Sequence, residues 1–174
     1  MLRPRNEPYQ AQGFTLLELL FSLLLLSLLL SVIFPSFRTL QQSSMLKGVS
    51  DTLYTDLAYA RAEATKRGTS VYVNINTTSN WCYGIKVGSA CDCSVANSCQ
   101  IDNATRVMNR ANYPRAQLNS SLPSADLIFE GVRGMASANG TLSLSNGSQT
   151  AQIIINPTGY IQVCSSNIPG YPAC

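Results

Sequence analysis

The chain has 174 residues, with 12 basic and 9 acidic side chains, a net charge of +3 and no histidine. Without histidine the commonest general base is missing, and with it every Ser-His or Cys-His pairing; no phosphate-cradling loop and no G-x-G-x-x-G is present. A charge so close to neutral names no partner, and an enzyme, a small-molecule substrate, a cofactor or a metal is not expected.

The first stretch, residues 1 to 13, is polar and carries Arg3, Arg5 and Glu7. It ends in Gly13-Phe14-Thr15-Leu16-Leu17-Glu18, after which residues 19 to 37 hold no charge at all. At a rise of about 1.5 Å per residue, a helix from Phe14 to Phe37 is long enough to cross a hydrocarbon core roughly 30 Å thick. A secretory signal would be followed by a small-residue cleavage site, and none follows here. Glu18 is the anomaly, because a carboxylate costs about 2.5–3.5 kcal/mol near a bilayer centre and less toward the interface. Such a group implies a partner.

A polar, basic leader ending in Gly13, then Phe14, then Glu18 as the fifth residue after the glycine, then a long apolar helix, resembles the class III signal of type IV prepilins and pseudopilins. The resemblance implies cleavage after Gly13 by a membrane-embedded prepilin peptidase and N-methylation of Phe14. It also implies that Glu18 sets the register of each incoming subunit by pairing with a positive N-terminal amine. Two buried ions each lose hydration, and only a close pair offsets that loss. Pro35 removes a helix hydrogen bond; pilins similar to this chain carry a proline near this point, where the helix can loosen on packing into a filament.

Beyond Thr39 the helix is expected to continue as an amphipathic one, with Leu46, Val49, Leu53, Leu57, Ala60 and Ala64 on one face. Gly68, after Lys66 and Arg67, reads as its stop. Within it, the run from Leu57 to Gly68 resembles the A-R-x-E-A-x-x-R-G signature of the GspH/FimT family, minor pilins of type IV pili and a minor pseudopilin of type II secretion. On their own terms Arg61, Glu63 and Arg67 read as a solvated helix face with a weak i,i+4 pair.

After Gly68 the pattern turns to period two. Strands are expected at residues 69–76, 81–87, 126–130, 140–145, 151–156 and 159–164, separated by turns at Asn139-Gly140, Asn146-Gly147 and Pro157-Thr158-Gly159. Residues 88 to 122, rich in Asn, Ser, Ala and Cys, read as a long surface excursion. The expectation is an α+β fold, a long N-terminal helix packed on a mostly antiparallel sheet, and the resemblance makes that fold pilin-like.

Six cysteines, Cys82, Cys91, Cys93, Cys99, Cys164 and Cys174, point to disulfides in an oxidising compartment, with 15 pairings open. Cys164 with Cys174 would close a C-terminal loop, and the other four would staple the excursion. Zinc at Cys91, Cys93 and Cys99 is the lesser alternative, since no histidine can complete a set.

Some FimT proteins bind DNA through a C-terminal G-R-x-R motif. The matching place here reads Gly159-Tyr160-Ile161-Gln162, without either arginine. A separate basic cluster, Arg106, Arg110 and Arg115 with Tyr113, is a weaker candidate for phosphate contact and base stacking.

The reading is a minor type IV pilin: residues 1–13 a leader, 14–38 a membrane and assembly helix, 39–174 a periplasmic or extracellular head. Its partners would be other minor and major pilins, reached through the helix. Leader charge places residues 1–13 in the cytoplasm and the head across the inner membrane, with the pilus as destination. A minor pseudopilin of type II secretion and a DNA-binding subunit of the pilus tip are the alternatives.

Overall fold

The computed structural model describes the backbone of residues 15–174 and the side chains of residues 15–31 and 41–174. Helix α1 is Leu16–Arg67, and ten strands follow it: β1 Val71–Asn76, β2 Cys82–Val87, β3 Gln100–Ile101, β4 Ala104–Thr105, β5 Val107–Asn109, β6 Gln117–Ser120, β7 Asp126–Phe129, β8 Gly140–Ser145, β9 Thr150–Ile155 and β10 Ile161–Cys164. The chain divides into two compact units, Met1–Leu40 and Gln41–Cys174.

In the second unit the stripe of Leu46, Val49, Leu53, Leu57, Ala60 and Ala64 is buried throughout. A helix with one apolar face needs a covering layer, and here two sheets supply it where one was expected. The first has the order β5-β2-β1-β7 and the second β10-β9-β8-β6, with every pairing antiparallel. Alternation along the strands puts Val71, Val73 and Ile75 of β1, Leu142 and Leu144 of β8, and Ile153 and Ile155 of β9 into one core with Trp81, Tyr83 and Phe129. The helix ends at Gly68, whose successor Thr69 donates its N–H back to the Ala64 carbonyl at 3.2 Å, the six-to-one bond of a Schellman cap.

The excursion differs most from expectation. Residues 88–122 are not a structureless loop: β5 extends the first sheet, β6 forms one edge of the second, and β3 and β4 make a hairpin turning at Asp102 and Asn103. These strands have only two to four residues, too short for alternation to stand out from an Asn- and Ser-rich background. Trp81 anchors the far end of the excursion, its indole N–H donating to the Ala116 carbonyl at 2.7 Å.

Candidate assembly helix and head surfaces

In the first unit, Thr15 caps the start of α1. Its Oγ1 accepts the Glu18 N–H at 3.3 Å, and its carbonyl accepts the N–H groups of Glu18 and Leu19. Thr15 and Glu18 stand in the T-x-x-E spacing of a capping box, of which the structure shows the Thr15 half, its hydroxyl taking the Glu18 N–H. Around the described part of the helix, leucines from Leu16 to Leu30 are 43–78 % exposed with no side left polar. The serines among them turn inward: Ser22 donates to the Glu18 carbonyl at 2.7 Å, Ser27 to Leu24 and Ser31 to Leu28. A helix apolar all round is one that other apolar matter must cover. Among the described residues no helix is long and apolar enough to cross a membrane; the described side chains of this run stop at Ser31. Gly13, Phe14 and the side chain of Pro35 lie outside the described residues.

On the head, all six cysteines are in disulfides: Cys82–Cys93, Cys91–Cys99 and Cys164–Cys174. The first two cross each other in sequence and form, with Val107, a second small core on the outer face of the first sheet. Gly84 of β2 makes room for it, since a Cβ there would fall 2.5 Å from the Cys99 sulfur. Asn74 of β1 ties the same layer down, accepting the Cys93 N–H at 3.2 Å and donating to Asp126 at 2.7 Å.

Within the A-R-x-E-A-x-x-R-G run Glu63 is buried and Arg61 half-buried, while Arg67 stays exposed. Glu63 is 6 % exposed and receives Arg67 at 2.6 Å and Lys66 at 3.1 Å. Arg67 reaches on with both terminal nitrogens to the Asp102 carboxylate at the hairpin turn, at 3.0 and 2.5 Å. A planar guanidinium matches a carboxylate in this forked geometry. The Arg67 hydrogen bond holds both the Glu63 and the Asp102 carboxyl below the usual range, Lys66 adding to the effect on Glu63, and Arg67 is raised in return. The spacing of Glu63 and Arg67 was visible in sequence; the third member, 35 residues on, was not. Arg61 serves a different end. Its Nε donates to the Gly134 carbonyl at 3.1 Å and Nη2 reaches Thr158 at 3.5 Å. There Gly159 has φ +78° and lies so close to the Gly134 carbonyl that a Cβ would meet that oxygen at 2.0 Å, so only glycine fits.

Two tyrosines hold helix carboxylates that the sequence left unpaired. Tyr83 donates to Asp56 at 2.8 Å and Tyr171 to Asp51 at 2.6 Å. Burial first, then the adjacent carboxylate, pushes the Tyr83 phenol well above its ordinary value; the same order of causes raises Tyr171.

The basic cluster is distributed among different neighbours. Arg106 stacks over the Tyr59 ring, 5.0 Å from its centroid; Arg110 donates to the Ser79 carbonyl; Arg115 lines a small hollow with Gln42, Met45 and Asn146; and Tyr113 packs against the main core.

Comparison with known proteins fits this arrangement. Residues 49–159 match the family described as type II transport protein GspH, and residues 9–34 match the prokaryotic N-terminal methylation motif. The chain belongs to the GspH family. Among solved structures it is similar to the minor pseudopilin EpsH from the type 2 secretion system of Vibrio cholerae, at 17% identity and TM-score 0.54, covering 70% of this chain and 97% of that one. It is also similar to the type IV minor pilin FimU of Pseudomonas aeruginosa in two crystal forms. One gives 18% identity and TM-score 0.51, covering 72% of this chain and 98% of that one; the other gives 20%, 0.53, 72% and 93%. Comparison with curated protein sequences gives no match. This GspH-family chain is therefore a minor pilin-like or pseudopilin-like structural subunit with a pilin-like α+β fold, and the methylation motif marks it as membrane-anchored.

Proposed function

We propose that this protein is a minor type IV pilin, cut after Gly13 by prepilin peptidase, methylated at Phe14, and inserted through α1 into a complex of other minor and major pilins that starts or caps the filament. The observation that carries the reading is the helix of Leu16 to Leu30, exposed on all sides and headed by a single carboxylate, Glu18. Apolar surface contributes roughly 25 cal/mol per Å² when removed from water, so such a helix is held by lipid before assembly and by neighbouring helices after it. Glu18 would supply register by pairing with the new N-terminal amine of a neighbouring subunit, and Pro35 a point where the helix yields on packing. In this reading the leader, residues 1–13, stays cytoplasmic, residues 14–38 cross the inner membrane, and residues 39–174 fold in the periplasm and end on the cell surface.

The test has two parts. The non-reduced intact mass of the protein from its own membrane is expected to equal methylated Phe14 to Cys174 with three disulfides; an uncut chain would make the first helix a plain signal anchor. Glu18→Ala is expected to be inserted and cut normally yet to be depleted from sheared pili, and unchanged pilus content would remove the register role.

The pseudopilin alternative is favoured by the family description, type II transport protein GspH, and by the likeness to EpsH at TM-score 0.54 against 0.51 and 0.53 for FimU. Deletion of the gene separates the two: loss of surface pili with normal protein secretion supports the pilus, and the reverse supports type II secretion. A DNA role receives less support, because Arg106 is stacked on Tyr59 and Arg110 is bonded to the Ser79 carbonyl, while Arg115 lines a separate hollow. Their joint replacement by alanine is expected to leave duplex binding at low salt unchanged.

A further inference from the structure

The four edges of the two four-stranded sheets are not equally protected. The β7 edge is closed by Ser137, whose N–H donates to the Ile128 carbonyl at 2.8 Å while its Oγ accepts the Ile128 N–H at 3.0 Å. The β10 edge is different. In its pairing with β9, Asn156 donates its N–H to the Tyr160 carbonyl at 2.9 Å, and the register places Gln162 opposite Ile154 and Cys164 opposite Gln152. Hydrogen-bonded pairs alternate along an antiparallel ladder, so Gln162 and Cys164 bond to β9 while the N–H and C=O groups of Ile161 and Val163 point away from it. Among the described residues nothing bonds to those four groups. The next one, the Ser165 N–H, is already taken by the Pro172 carbonyl at 2.9 Å, so the open edge is short and bounded.

Beside this edge runs a groove of about 440 Å³ between α1 and the start of β10, lined by Tyr54, Ala58, Arg61, Gly159, Tyr160 and Ile161 among others. Tyr54 and Tyr160 are 39 % and 55 % exposed. Arg61 is the charged residue of this lining, and among the described residues it bonds only carbonyl oxygens and forms no ion pair. From Gly134 to Cys174 the sequence contains no Asp, Glu, Lys or Arg. An exposed strand edge is ordinarily guarded by charge, proline or a bulge; here the strand Ile161–Cys164 carries none of these, and the charged residue that lines the adjoining groove is the positive Arg61.

We infer that the β10 edge is an interaction surface that takes an extended segment of a partner polypeptide as an added strand, with an Asp or Glu of that segment set against Arg61. Main-chain bonds to Ile161 and Val163 supply the affinity and the carboxylate the selectivity, the division of labour usual in strand addition. This surface lies on the head and does not depend on how the N-terminal helix assembles.

The test uses the full-length chain in detergent micelles and two capped peptides, Thr-Val-Asp-Val-Thr-Val and its Asn counterpart, with amide hydrogen exchange as readout. Without peptide, Ile161 and Val163 are expected to exchange faster than Ile153 in the middle of the same sheet. The Asp peptide is expected to slow both by about tenfold or more and to bind about tenfold more tightly than the Asn peptide. Arg61→Gln should abolish that preference. Because Arg61 also holds the 134 and 158 carbonyls, Val163→Pro provides a second variant: proline is tolerated on an edge strand and removes one outward N–H, so it should weaken both peptides while the preference for Asp persists. Exchange at Ile161 and Val163 that is as slow as at Ile153 without peptide, or unaffected by either peptide, overturns the inference. Neither result bears on processing or pilus incorporation, so the two readings fail separately.

Discussion

The head is held together in two ways. Beneath the sheets, a core of Leu, Val, Ile, Trp, Tyr and Phe is closed by α1; above the first sheet, the excursion has a core of four cysteines and one valine. The first is stabilised by apolar area removed from water, which scales with side-chain size. The second has too little apolar area for that, and crossed covalent links take its place, as in small exported domains that cannot bury enough surface. The difference teaches that one chain can use long strands where its residues are large and disulfides where they are small. It also makes the two regions separable by experiment.

The sharpest separation comes from the main core. Leu53→Ala, at a fully buried helix position, is expected to cost about 2–5 kcal/mol of head stability, measured by urea unfolding with all three disulfides intact. Replacing Cys91 and Cys99 together by serine should cost about 2–4 kcal/mol. Its effect should be local: faster hydrogen exchange at β3 and β4, with β8 and β9 unchanged. If both regions loosen together, they form a single cooperative unit. Gly84→Ala tests the contact between the layers, because the added methyl meets the Cys99 sulfur; a loss of about 1–3 kcal/mol is expected.

Much of this contrast was legible in the residues. The helix stripe, Gly68 as its stop and six of the ten strands follow from periodicity, since a half-buried element must repeat its apolar side chains at its own pitch. Clustering of Cys82, Cys91, Cys93 and Cys99 pointed to a stapled segment. What was not legible is long-range. Glu63 reads as solvated from its spacing to Lys66 and Arg67 alone, and Asp102, which completes its network through Arg67, is an ordinary loop aspartate until the hairpin places it. The partners of Asp51 and Asp56 are hidden for the same reason. At the N-terminus the reverse holds: the cap that Thr15 places on the Glu18 N–H is local and is legible in the T-x-x-E spacing.

The smallest expected effect is the charge link between helix and excursion. Glu63 and Asp102 have folded-state carboxyls held below their ordinary values, so their contribution is present above the ordinary carboxylate range and is lost as pH falls through the depressed folded values. Asp102→Asn should leave the head folded and flatten the acid limb of its stability profile, read by thermal unfolding between neutral pH and pH about 3. An unchanged acid limb would mean that the disulfides alone fix the excursion.

The serines of the N-terminal helix have a consequence for movement. Ser22, Ser27 and Ser31 already give their hydroxyl protons to carbonyls of their own helix, so between residues 16 and 31 no serine hydroxyl is left seeking an outside partner. Passing from acyl chains to the flank of another helix then breaks no hydrogen bond and makes none. Such a transfer is governed by shape and packing, and Glu18 is left as the one group on this stretch for which the change of surroundings is a change of chemistry.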